Sequence, residues 1–116
     1  MAKLIKADGT QIDIQPANGR VFSLAELQNY VGGYIELVIM RTVGGEVVHD
    51  RVMFVNEEGK LSINGRGPLP RNRIATAMSG VWEWGDFVCG DVVVCTPKEA
   101  GNNDTEDEEA EGATGL

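Results

Sequence analysis

The chain has 116 residues, 42% of them apolar, and a formal net charge of −8. That length suits one domain with a modest core, and no apolar run approaches the length of a membrane span. The charge is unevenly spread: residues 1–98 hold 11 acidic and 10 basic side chains, whereas residues 99–116 hold 7 acidic and no basic ones. A nearly neutral body lacks the basic excess of a nucleic-acid binder. The tail, "EAGNNDTEDEEAEGATGL", has no aromatic and almost no bulky apolar residue, so it cannot bury enough surface to offset the entropy of ordering. The expected organisation is a single domain over 1–98 and a disordered acidic tail over 99–116. "MAKLIKADGT" has no apolar core of signal-peptide length, which points to the cytosol.

In chain order, "KLIKADGTQIDIQ" reads as a hairpin turned at Asp8-Gly9. "FSLAELQNYVGG" is the clearest helix. Ser23 and Glu26 form a capping box, and Phe22 and Leu27 sit at the staple positions. Leu24, Leu27 and Val31 share a face, and Gly32 is a left-handed terminator. "YIELVIM" is a strand, "RTVGGEV" a turn and "VVHDRVMFV" the returning strand. Imperfect alternation in that last strand predicts a bulge, or burial on both faces, near Val52 to Val55. "NEEG" is a turn and "KLSI" a short strand. "NGRGPLPRNR", with two Gly and two Pro, is a loop. Asn72 caps a short helix, "RIATAMS", that stops at Gly80. "VWEWGDF" is ambiguous, and Val92 to Cys95 form the last strand. The fold class is α+β: a mostly antiparallel sheet with one well-defined helix packed on it and a second short helix, in the order β-β-α-β-β-(β)-α-β.

Few residues suggest chemistry. His49 is the single histidine, and Cys89 and Cys95 read as small buried hydrophobes in a reducing compartment. No triad, metal set or phosphate loop is present in the pattern, so the expectation is a protein that is not an enzyme and needs no cofactor. The notable cluster is the polar turn and loop: Asn56, Glu57, Glu58, Lys60, Asn64, Arg66, Arg71, Asn72 and Arg73. Arg offers a planar fork suited to phosphate or carboxylate, and shaped loops often hold recognition groups. The alternative is that Arg71 and Arg73 pair with Glu57 and Glu58 in a surface ion network. Trp82 and Trp84, two apart, would share a face if the segment were a strand. They are then either core or an exposed interface patch.

"LQNYVGGYIELV", "VNEEGKL", "PLPRNRIAT" and "GDVVV" together resemble the phage and mobile-element family known as domain of unknown function 3846. The resemblance covers roughly Leu4 to Val94. It departs from the family in the longer "SINGRGPLPRNR" link and in the Trp82/Trp84 segment, with the acidic tail outside the family pattern. It implies a small phage-encoded protein and carries no activity to transfer. The functional expectation is a non-catalytic accessory protein that binds a host protein or a small nucleotide-like ligand, with host modulation as its role. Alternatives are a single-stranded nucleic-acid binder, an acidic nucleic-acid mimic, and a virion or assembly component. A dimer through an edge strand or the Trp pair is left open.

Overall fold

The computed structural model describes residues 2–63 and 65–101. The fold starts at a tight turn. Gly9 takes a φ of 97°, and the Lys6 amide donates to the Thr10 carbonyl at 2.8 Å. This sets β1 (Ala2–Ile5) antiparallel to β2 (Gln11–Ile14), as Asp8-Gly9 predicts. Helix α1 (Leu24–Val31) follows, with its capping box formed: the Glu26 amide donates to Ser23 Oγ, and the Ser23 amide donates back to Glu26 Oε1. Gly32, at φ 81°, ends it. Leu27 and Val31 are buried, but Leu24 is 49% exposed, so the apolar stripe starts one turn later than its spacing suggests. Phe22 is enclosed in the core, in the same cluster as Leu27.

Glu26 also reaches back along the chain, accepting from the Ala17 amide at 2.7 Å. Donation from the Ser23 and Ala17 amides holds its carboxyl below the usual carboxylate range. A depressed carboxyl stabilises the fold above the unfolded value, and the gain is lost as pH falls through the folded one. Thermal unfolding of Glu26→Gln should therefore show a shallower loss of stability than wild type between about pH 5 and pH 3.

Strands β3 (Ile35–Val38), β4 (Val52–Asn56) and β5 (Val92–Cys95) complete an antiparallel sheet in the order β2-β1-β5-β4-β3. The last strand in sequence sits in the middle, between β1 and β4. Every residue of β4 and β5 is buried, because both faces of the sheet are covered. Phe54, Val93 and Cys95 pack with Phe22 and Leu27 on the α1 face. Met53, Val55, Val92 and Val94 pack with Ala75 and Val88 on the other face, that of α2 (Arg73–Ser79). Burial on both faces explains the imperfect alternation near Val52 to Val55.

The irregularity in the β3–β4 hairpin lies elsewhere. Val48 donates to Met40 and Val38 pairs with Met53. Between these two pairings the chain advances two residues on one side and five on the other, so His49–Arg51 loop out. "VVHDRVMFV" is thus not one continuous strand. "KLSI" is not a strand either: only an isolated bridge joins Ile63 to Arg66. "VWEW" is a 3-10 helix, Val81–Trp84, bounded by Gly80 and Gly85 in the left-handed region. At three residues per turn, positions two apart point in different directions, so Trp82 and Trp84 do not share a strand face. A four-residue helix α3 (Pro97–Ala100), capped by Thr96, runs past residue 98. Ala100 is fully buried and the Glu99 carbonyl accepts from the Phe22 amide. The body therefore continues through Gly101, beyond the boundary drawn from charge, because the Thr96–Glu99 capping box is a local folding signal that net charge does not register. Residues 102–116 of the acidic tail lie outside the described residues.

Candidate functional site

Two of the polar candidates turn out to be structural fasteners. Asn72 is 1% exposed. Its Oδ1 accepts from the Ala75 amide as the α2 cap, and its Nδ2 donates to the carbonyls of Ile5 and Gly90, both at 2.9 Å. Asn56 sits at the end of β4, donating to the Val31 carbonyl and accepting from the Glu58 amide at 2.8 Å. It lies so close to Gly33 that a Cβ there would come within 2.9 Å of Nδ2. These two side chains tie helix ends and turns to the sheet, with their polar atoms engaged by backbone groups.

The charged candidates divide as well. Arg66 donates to the carbonyls of Gly67 and Glu58, which folds the loop onto itself. Glu57 is exposed and Glu58 half-buried. Arg71 does not pair with either of them. Its guanidinium lies 3.8 Å from the ring centroid of Phe87. Lys60 forms an ion pair with Asp86 and also approaches the Phe87 ring, at 4.7 Å. The Lys60 ammonium, with the Phe87 amide, holds the Asp86 carboxyl below its ordinary range. Arg73 is exposed, with no ion pair or hydrogen bond to its side chain among the described residues. Asn64 lies outside the described residues.

Phe87 is not among the site residues that the sequence suggests. It is half-buried in the turn that follows the 3-10 helix, and it walls two clefts. One, of about 320 Å³, is lined by Arg71, Arg73, Thr76, Ala77, Trp82 and Phe87. The other, of about 290 Å³, lies on the same face of the sheet beside β3, floored by Val38, Val55 and Val81 and rimmed by Glu36, Glu57 and the Lys60–Asp86 pair. Trp82 is 48% exposed and Trp84 63%. Trp84 has the Arg41 guanidinium 6.0 Å from its ring centroid, at the outer limit for a cation over a ring.

Cys89 borders the second cleft but is buried, and burial pushes its thiol up despite Lys60 and Arg71 nearby. Such a thiol is protonated and unreactive at neutral pH. Among the described residues no three His, Cys, Asp or Glu side chains are grouped as a metal set, and no helix is long and apolar enough to cross a membrane.

The fold and the cleft define a small α+β domain that presents two guanidinium groups and two aromatic rings on one surface. The chain belongs to the family described as a domain of unknown function (DUF3846), whose model matches residues 2–114. The match runs well into the acidic tail, so the tail is not outside the family pattern as the quoted motifs alone imply. No curated protein and no solved structure matches the chain.

Proposed function

We propose that the chain is a non-catalytic binding protein whose Arg71/Arg73 cleft takes a small ligand combining a planar ring with negative charge, a nucleotide-like anion. The observation that carries this is the convergence of Arg71, Arg73, Trp82 and Phe87 around one concavity of about 320 Å³. That volume is near the lower end for small-molecule sites, roughly 300–1,000 Å³. The exposed Trp82 ring can stack on a planar ligand, and guanidinium forks suit phosphate oxygens. In a phage or mobile-element setting, such binding would serve host modulation from the host cytosol, by withholding a ligand or engaging a host factor.

The test is titration with nucleoside mono- and diphosphates, followed by Trp fluorescence, alongside native mass spectrometry of gently purified protein. The expected result is saturable quenching and an added mass of a few hundred daltons on the native sample. Each charge-assisted hydrogen bond contributes about 1.5–3 kcal/mol, so the double variant Arg71→Ala, Arg73→Ala should lose at least about a hundredfold in affinity. Wild-type affinity in that variant would refute the assignment. Exposed Trp82 and Trp84 beside Arg41, Arg71 and Arg73 favour single-stranded nucleic acid as the second reading. Against it stands the body's near-neutral charge; a mobility shift with oligonucleotide at low salt that disappears in the Arg double variant would establish it.

A further inference from the structure

The second cleft lies against an open sheet edge. Among the described residues strand β3 is the last in the sheet order and pairs only with β4, so its outer backbone groups from Ile35 to Val38 have no strand partner there. Such an edge is a template for a further strand. Alternate residues of β3 face opposite ways. Ile35 and Leu37 are half-buried against the α1-side core, while Val38 packs on the α2 side. Glu36 and Val38 border the cleft on that second side, whose floor is apolar and whose rim is charged.

In strand addition, main-chain hydrogen bonds supply affinity and pockets beside the strand read alternate side chains. Both parts are present here, side by side. The charge of the rim is one-sided. Lys60 is already engaged by Asp86, and neither Glu36 nor Glu57 has an ion pair to its carboxylate among the described residues.

We infer that the β3 edge and its adjoining cleft form a docking site for an extended segment of another protein, one carrying a Lys or Arg opposite Glu36 and apolar residues opposite Ile35, Leu37 and Val38. An antiparallel addition continues the all-antiparallel sheet, and the complementary order then reads apolar, apolar, basic, apolar. A second copy of this chain fits less well. The β3 sequence "IELV" would set Glu36 against its own equivalent or against an apolar residue. The other open edge, β2, presents Asp13, already paired with Lys3 at 2.6 Å. Opposite charges across strands stabilise and like charges destabilise, so the edge selects a basic partner strand over either edge of its own kind. This site shares the Phe87 wall with the Arg71/Arg73 cleft but does not depend on a ligand bound there.

The test uses the full chain and three short fluorescent peptides in polarisation titrations. One has a Val-Ile-Lys-Val centre. One has Glu in place of the Lys. One keeps the Lys but is N-methylated on alternate amides, which removes strand hydrogen bonding while leaving charge unchanged. The Lys peptide should bind saturably and the Glu peptide about tenfold more weakly, and the N-methylated peptide should not bind. Glu36→Lys, checked for folding by circular dichroism, should reverse the preference between the Lys and Glu peptides. Attraction by the acidic tail alone would leave N-methylated and plain Lys peptides equal, and that overturns the proposal. So would an unchanged preference in Glu36→Lys, no binding by any peptide, or a dimer in sedimentation that Leu37→Lys dissociates, which would assign the edge to a second copy.

Discussion

Asn72→Ala should be among the most damaging single substitutions in this chain, lowering stability by roughly 3 kcal/mol. Three losses combine. The α2 helix loses its cap on the Ala75 amide, worth about 1 kcal/mol. The carbonyls of Ile5 and Gly90 each lose a donor in a site with 1% exposure, at about 1 kcal/mol or more apiece. For a domain of about 100 residues this moves the thermal midpoint down by on the order of 15 °C. Two further variants separate the terms. Asn72→Ser restores an acceptor for the cap and should recover about 1 kcal/mol. Asn72→Asp keeps the cap but turns an acceptor-only carboxylate toward two carbonyls, so at neutral pH it should fall no better than Ala. Chemical denaturation of the four proteins checks the order, and an Ala variant as stable as wild type would show that Asn72 is not the fastener described.

Gly80→Ala should cost a similar amount for a different reason. Gly80 joins α2 to the 3-10 helix at φ 81°, where an L side chain is strained by about 1 kcal/mol. An added Cβ would also overlap the Arg41 carbonyl oxygen. That oxygen is backbone, and the Arg41 amide is tied to the Ser79 carbonyl at 2.9 Å, so it cannot rotate away as a side chain would. The combined effect is expected at about 3 kcal/mol. Gly85 provides the control: it has φ 77° and nothing within 4 Å of a built Cβ. Gly85→Ala should lose only the conformational part, about 1 kcal/mol. Urea midpoints of the two variants therefore isolate the steric contribution; equal losses would mean that the 40s hairpin yields to the methyl group.

The contrast between these residues shows which features local sequence encodes. Ser23 and Glu26 are three residues apart, so the start of α1 is legible directly, as is the Asp8-Gly9 turn. The capping role of Asn72 was legible in the same way. Its second role was not, because Ile5 and Gly90 are 67 and 18 residues away. The strand reading of Leu61–Ile63 and the ambiguity of Trp82–Trp84 share a cause. Both are short apolar-polar alternations, a pattern that a strand, a bridge or a 3-10 turn can each satisfy. Their glycine neighbours decided the outcome through backbone geometry. The polar turn and loop read as one cluster in the sequence, but the structure divides them into inward fasteners, Asn56 and Asn72, and an outward group, Arg71 and Arg73. Phe87 reads in the sequence only as one more aromatic beside Trp82 and Trp84, because its importance lies in the two cations it meets, Lys60 and Arg71, which sequence alone does not place around it.

The central position of β5 has a consequence for how the chain reaches this state. Among the described residues the hairpins β1–β2 and β3–β4 have no strand pairing with one another, and β5 is the strand that pairs with both. During synthesis both hairpins emerge before the strand that joins them, and each exposes an unpaired edge and an apolar face until Val92–Cys95 arrive. Closure then pairs residues near the two ends of the body, Lys3 with Val94, the kind of distant contact that slows folding. The step that commits the molecule is a zipper drawn shut by its last strand, and the waiting hairpins are where competing association would begin.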